Sequence, residues 1–320
     1  MTKAHFSELI GQSAALQQLL NTAALLAVTD VTVLIEGATG TGKELLARAL
    51  HQSSPRSQRD FVAVNCASLP EGLVESQLFG HRKGAFTGAD QDHKGFVQQA
   101  EGGTLFLDEV GELSLAAQAR LLRFIEYGEC QRVGDSQPGT SNVRILAATN
   151  RNLQQQVQSG EFREDLYFRL KVVPLELPTL AQRRDDVPLL AQHFIQQIAA
   201  QYDLPAARLS REAIKRLQAY SWPGNVRELR NLCESLVVLL QGKTIDASNL
   251  PTHISADSLP HAGAHAGFKL PASGIRLDEL EVDLLQQALQ VSAGNKSRAA
   301  RLLGISRDVF LYRLKKYAIA

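Results

Sequence analysis

The sequence predicts an α/β fold: a parallel sheet covered by helices on both faces, then an all-helical subdomain, then a separate all-α carboxyl-terminal segment. Three observations predict it. Up to about residue 178, short apolar runs alternate with amphipathic stretches, as in a parallel sheet with helical crossovers. From about residue 184 the periodicity is purely helical. Residues 251–275, "PTHISADSLPHAGAHAGFKLPASGI", are rich in Pro, Gly, Ala and Ser without any period and read as a flexible linker. The expected units are therefore 1–178, 179–250, the linker 251–275, and 276–320.

In chain order, "VTVLIEG" (31–37) is apolar, β-branched and closed by glycine, a buried strand, and "KELLARALHQ" (43–52) follows as an amphipathic helix. "FVAVNC" (61–66), "GTLFLDE" (103–109), "VRILAATN" (143–150) and "KVVPLEL" (171–177) are the further strands. Between them "LVESQLF", "LAAQARLLRFIEYGE" and "NLQQQVQSGEF" read as helices. "RDDVPLLAQHFIQQIAAQY", "SREAIKRLQAY" and "NVRELRNLCESLVVLLQ" build the helical subdomain.

Composition narrows the function classes. A formal net charge of +1 announces no overall affinity for nucleic acid, so any such signal is local. Cys66, Cys130 and Cys233 are isolated, which suits reduced thiols better than a disulfide frame or a zinc site. His261 and His265 lie in the linker and read as solvated. No run approaches the roughly 20 apolar residues of a membrane span, and the first residues begin no signal peptide. The expected compartment is the cytoplasm.

The chemistry concentrates at two strand ends. Gly37-Ala38-Thr39-Gly40-Thr41-Gly42-Lys43 follows a strand and opens a helix. Glycines let the backbone turn its N–H groups toward phosphate oxygens, the helix N-terminus adds a favourable dipole, and Lys43 supplies a charge for the β- and γ-phosphates. The hydroxyl residue that usually closes this motif and helps hold magnesium is here Glu44. The partner motif is "GGTLFLDEV", where Asp108 is placed to hold Mg²⁺ and Glu109 to polarise an attacking water. A third feature is the loop Gly84-Ala85-Phe86-Thr87-Gly88-Ala89, which sets one aromatic and one hydroxyl between small residues.

With "GTGKELLARAL", "GAFTGA", "GGTLFLDEVGEL", "FREDLYFRL" and "WPGNVRELRN" in that order, the chain resembles the AAA+ ATPases, and more narrowly the sigma-54 (sigma-N)-dependent transcription activators, or bacterial enhancer-binding proteins. The match runs from about Phe6 to about Leu240. The resemblance implies a ring, a hexamer in this family, with each ATP between two subunits. It implies that Arg163 and Arg169 act on the neighbour's γ-phosphate, that Thr149 and Asn150 form a first sensor, and that Arg227 is a second sensor. Asn65 matches the asparagine that holds the catalytic glutamate off line. The GAFTGA loop would touch sigma-54 through Phe86 and Thr87, with Phe86 exposed at the tip. A second loop, "GECQRVGDSQPG" (128–139), would lie beside it, with Asp135 where the family often has glycine.

The tail "NKSRAARLLGISRDVFLYRLKKYAI" reads as two short helices joined by a turn at Gly304, a helix-turn-helix. Lys296, Arg298, Arg301, Arg307, Arg313, Lys315 and Lys316 face one acid, Asp308, a patch suited to phosphates. The segment is similar to the Fis-type helix-turn-helix; Ser306, Arg307 and Arg313 are the expected base readers, and "LDELEVDLLQQALQ" the expected dimerisation helix.

The expected function is ATP-driven remodelling of sigma-54 RNA polymerase from an upstream, enhancer-like DNA site, opening the promoter. The ATPase pattern begins almost at residue 1, where no sensory domain fits ahead of it: control by a regulatory protein in trans is expected if the chain is whole, and removal of the regulator if it is a piece of a longer one.

Overall fold

The computed structural model of the chain describes residues 4–137, 139–255, 277–292, 294–305 and 307–317. Two compact units emerge, 1–258 and 259–320.

In the first unit, α1 (Ala14–Ala27) precedes β1 (Val33–Glu36) and α2 (Lys43–Gln52). Then come β2 (Phe61–Asn65), α3 (Val74–Phe79), α4 (Phe96–Gln99), β3 (Thr104–Asp108) and α5 (Leu115–Tyr127). A short ladder, β4 (Glu129–Cys130) with β5 (Gly139–Thr140), leads to β6 (Arg144–Thr149), α6 (Leu153–Gln158), α7 (Glu164–Leu170) and β7 (Val173–Glu176). The five main strands are all parallel, in the order β2-β3-β6-β1-β7. Pro174, which cannot donate to a ladder, is tolerated because β7 lies at the edge and pairs only with β1.

Strand alternation divides the core. Leu34, Val64, Leu105, Leu107, Ile145 and Ala147 pack with Leu78, Leu121 and Leu166 of α3, α5 and α7. Val33, Ile35, Phe106, Leu146 and Ala148 point the other way, onto Ala23, Leu46 and Leu50 of α1 and α2. Both faces are dry, which is why these strands read as near-continuous apolar runs. Arg144 is the exception at 1% exposure. Its guanidinium donates to the carbonyls of Ala27 and Leu26 at 3.0 and 2.9 Å and so caps the end of α1.

The helical subdomain comprises α8 (Val187–Gln201), α9 (Arg211–Ala219), α10 (Asn225–Leu240) and α11 (Thr252–Ser255). Trp222 anchors its core, with the indole N–H donating to Leu217 O at 2.8 Å. The linker expected from residue 251 starts too early: Leu250 and Ile254 are buried in this core, so α11 belongs to the subdomain. Residues 256–276 lie outside the described residues.

The second unit contains α12 (Leu277–Val291), α13 (Lys296–Leu302) and α14 (Arg307–Lys316). Leu285 and Ala288 of α12 share a core with Ala299, Ala300, Phe310 and Leu314. Thus α12, expected only to dimerise, also completes its own module. Leu302 of α13 and Val309 of α14 are exposed. Among the described residues no helix is long and apolar enough to cross a membrane.

Candidate functional site

The phosphate loop leaves β1 where Gly37 N–H still bonds Thr149 O of β6, and it enters α2 through Gly42, whose φ of 107° suits only glycine. Lys43 is buried and turns back over the loop, with its Nζ 3.0 Å from Gly37 O and 3.6 Å from Glu109 Oε1. Thr41 Oγ1 donates to Ala38 O at 2.8 Å, which closes the turn. Glu44 is turned away along α2, paired with Arg48 at 2.7 Å and well exposed.

Asp108 ends β3 beside Asn65 of β2 in the ladder register. Burial first, then the neighbouring Glu109 carboxylate, raises the Asp108 pKa above its ordinary value, while Lys43 pulls it down. The two adjacent carboxylates supply the oxygen donors that a divalent cation takes, with the Lys43 ammonium on the Glu109 side. Among the described residues no three acidic, His or Cys side chains gather as a metal site, so such an ion would complete its shell from phosphate and water. Glu109 has φ 54° and ψ 49°, a left-handed conformation that is costly for a non-glycine residue and is found where a site constrains the chain. Its second oxygen accepts the Asn150 N–H at 3.2 Å. Asn150 Nδ2 also donates to Thr39 Oγ1 at 2.9 Å, so the sensor pair, the acid and the loop are joined. Thr149 is buried and accepts from Arg151 N–H at 3.0 Å.

Among the described residues Asn65 makes no hydrogen bond to Glu109. Its Oδ1 caps the following turn, accepting Ala67 N–H at 2.9 Å. Cys66 next to it is kept as a thiol: burial, then Asp108 and Glu109, push it up to about 12. Arg163 and Arg169 are exposed, and among the described residues neither forms a hydrogen bond or ion pair with the phosphate loop of its own chain. Arg163 forks onto Asp165 at 2.7 and 3.1 Å, and Arg169 approaches Glu126 at 3.7 Å. Arg163 is placed by buried Gln118, which accepts its N–H at 2.8 Å. Arg227 enters from α10, whose first amides meet the loop at Gly40 O.

Three residues of this site were passed over in sequence, although Asn225 stands inside "WPGNVRELRN". Asn225 and Arg183 reach the phosphate loop from the helical subdomain, at Thr39 O (3.0 Å) and Thr41 O (3.4 Å). Asp186, fully buried, accepts from Gln12 N–H, Ser13 N–H and Ser13 Oγ at 2.6, 2.9 and 2.7 Å. It pins the amino-terminal segment beside a cavity of about 510 Å³ lined in part by Leu9, Ile10, Gly11, Leu189 and His193.

The GAFTGA loop departs from expectation at its aromatic residue. Gly84 (φ 80°) and Gly88 (φ 100°) let the Gly84 N–H reach Ala89 O at 2.8 Å, which folds the tip over. Between them the Ala85 N–H closes a turn onto Arg82 O at 3.1 Å. Phe86 is consequently half-buried, edge-on to the His81 ring at 5.0 Å, whereas Thr87 is exposed. Asp135 ties the two loops: Arg82 donates to it at 2.7 Å and Arg132 at 2.8 Å, while Arg82 also meets Asp92 at 2.6 Å.

In the carboxyl-terminal unit Asn295 caps α13, accepting Ser297 and Arg298 N–H at 3.1 Å each. Lys296, Arg298, Arg307, Lys315 and Lys316 are exposed. Arg313, expected to read bases, is held by Glu281 of α12 at 2.7 Å, because it lies one step from the buried Leu314 face. Tyr312, which sequence reasoning passed over, is 69% exposed on the outer face. Ser306 lies outside the described residues.

A glycine-rich phosphate loop, an acid pair at the carboxyl edge of a parallel sheet and a helical lid resting on the loop together define an AAA+ ATPase. Residues 9–176 match the sigma-54 interaction domain, 181–266 the AAA+ ATPase lid domain, and 276–317 the Fis family of bacterial regulatory proteins. The chain is 48% identical over 308 residues to the transcriptional regulatory protein ZraR of Salmonella typhimurium, covering 96% of this chain and 68% of that protein. It is 43% identical to the DNA-binding transcriptional regulator NtrC of Rhizobium meliloti, covering 98% and 70% of the two chains. The crystal structure of NtrX from Brucella abortus in complex with ATP superposes with a TM-score of 0.73 at 36% identity, covering 97% of this chain and 69% of that one. The chain belongs to the sigma-54-dependent family of DNA-binding transcriptional activators.

Proposed function

We propose that this chain hydrolyses ATP within a ring of its own copies and uses the turnover to convert sigma-54 RNA polymerase from a closed to an open promoter complex, acting in the cytoplasm from an upstream DNA site. The observation that carries the reading is the coexistence, on one chain, of a complete phosphate site and a GAFTGA loop latched to its neighbouring loop.

Lys43 and the loop amides of Gly37–Gly42 hold the triphosphate. Glu109 takes a proton from the attacking water, and the charge that develops on the γ-phosphate is met by Lys43 and by Arg163 and Arg169 of an adjoining subunit. Mg²⁺, held by Asp108, would offset phosphate charge. Thr149, Asn150 and Arg227 report which nucleotide is bound, and Asn65, next to Asp108 in the sheet, restrains Glu109 once its side chain leaves the Ala67 N–H. The bulge at Gly84–Ala89 presents Thr87 to sigma-54, and Phe86 follows once it leaves His81. On DNA, Lys296, Arg298, Lys315 and Lys316 neutralise phosphates, while Arg307 lies on the helix that enters the groove and Ser306 just ahead of it in sequence joins it at the bases, with a dimer as the binding unit.

The test is strand melting on a promoter template with sigma-54 polymerase. Opening is expected to need hydrolysable ATP and to be lost in Thr87→Ala, with hydrolysis retained. Hydrolysis without opening at a bound site would refute the remodelling reading.

A further inference from the structure

Three successive carbonyls of the phosphate loop are held by the helical subdomain. The Asn225 amide donates to Thr39 O at 3.0 Å. The Val226 N–H donates to Gly40 O at 3.0 Å, with the Arg227 N–H sharing it at 3.3 Å. The Arg183 guanidinium reaches Thr41 O at 3.4 Å. A peptide unit is planar, so a carbonyl drawn to one side fixes the direction of the N–H on the next residue. Those N–H groups belong to Gly40, Thr41 and Gly42. Thr41 N–H turns inward to Ala38 O at 3.3 Å, and the Gly40 and Gly42 amides have no acceptor among the described residues. The contact is close: a Cβ on Gly40 would lie 2.4 Å from Gly224 O.

Both side chains are built in. Asn225 is 2% exposed, sits at φ 51°, and uses its other amide atom to accept Leu180 N–H at 2.9 Å. Arg183 is 4% exposed and its Nε has no partner. Asp186, the nearby acid, has both oxygens taken by Gln12 and Ser13. A buried cation without a contacting carboxylate is costly unless an anion arrives beside it.

We propose that Asn225 and Arg183 are positioning residues for the nucleotide, aiming the loop's N–H groups at the phosphates from the lid side, so that nucleotide affinity and lid closure are one equilibrium. This rests on the reading of the loop as the ATP site. Phosphate bonded to Gly40 and Gly42 N–H polarises the same amides and strengthens their bonds to the lid; by linkage, a closed lid tightens the nucleotide.

The experiment is titration of a fluorescent ATP analogue, and of ADP, into the full chain carrying Asn225→Ala or Arg183→Gln, with Lys43→Ala as the reference. Melting without nucleotide and protease protection of the lid are followed in parallel. Each lid variant is expected to bind about tenfold more weakly and to lose nucleotide-dependent protection, by more than any loss of nucleotide-free stability accounts for. Unchanged affinity in both, or weaker binding that only tracks lost stability, overturns the proposal. Full binding by Lys43→Ala overturns the phosphate-site reading instead. If Asn225→Ala does not fold, Arg183→Gln alone decides.

Discussion

Lys43 and Glu109 face one another at 3.6 Å at the head of the phosphate loop, both largely withdrawn from solvent. A γ-phosphate would compete for the ammonium and leave the carboxylate to the attacking water. Glu109→Gln is therefore expected to bind ATP close to normally and to lose roughly a hundredfold or more in turnover. Parallel binding and phosphate-release assays check it; turnover within a few-fold of wild type would remove Glu109 as the base.

Asp108 carries the pH dependence. Its folded pKa is raised, first by burial and then by Glu109, so the proton favours the folded state. That contribution is complete below the ordinary carboxylate range and is lost as pH rises through the raised value. Asp108→Asn should melt higher than wild type at neutral pH without nucleotide, and the difference should vanish as pH falls below about 4. The same variant should lose magnesium-dependent hydrolysis. An equal melting difference at both pH values would contradict the assignment.

Asp186 joins the amino-terminal segment to the helical subdomain through three hydrogen bonds. Asp186→Ala strands two backbone N–H groups and is expected to cost about 2–4 kcal/mol. Gly11→Ala should be similarly harmful, since its Cβ would lie 2.5 Å from Asp186 Oδ2 and from Leu16 Cδ2. Denaturant unfolding measures both.

The clasp joins exposed Arg82 and Asp92 to half-buried Arg132 and Asp135 at the surface of two loops, so it governs loop order more than stability. Asp135→Gly should leave the melting temperature nearly unchanged and speed protease cleavage beside Lys83. The effect should shrink in high salt, where wild type loosens too.

On DNA, Lys315→Ala and Lys316→Ala should each weaken binding uniformly across sequences and reduce the salt slope by about one. Arg313→Ala should differ, destabilising the module by releasing Glu281, while Tyr312→Ala should weaken binding with the module intact. Salt titrations of DNA affinity beside melting curves separate the two classes.

How much was legible in sequence depended on distance along the chain. The strands, the phosphate loop, the acid pair and the helix-turn-helix are local patterns: β1 runs into Gly37–Lys43 without a break, and Asp108 and Glu109 follow the apolar run of β3. Helix ends shifted where glycine intervened, as at Gly128 (φ 68°) after α5 and Gly160 (φ 77°) after α6.

By itself the sequence determined which residues carry charge, hydroxyl and glycine at the phosphate loop, and which apolar periods build sheet and lid. Only the tertiary structure decided that Asn225 grips Thr39 across 186 positions, that Phe86 lies against His81, and that Arg313 belongs to Glu281. For Asn225 the physical reason is that a buried polar group must find its partner wherever packing brings one, and for the other two that loop closure and helix seating choose the neighbour. Such pairings are set by how helices seat on a core, and no local spacing encodes them.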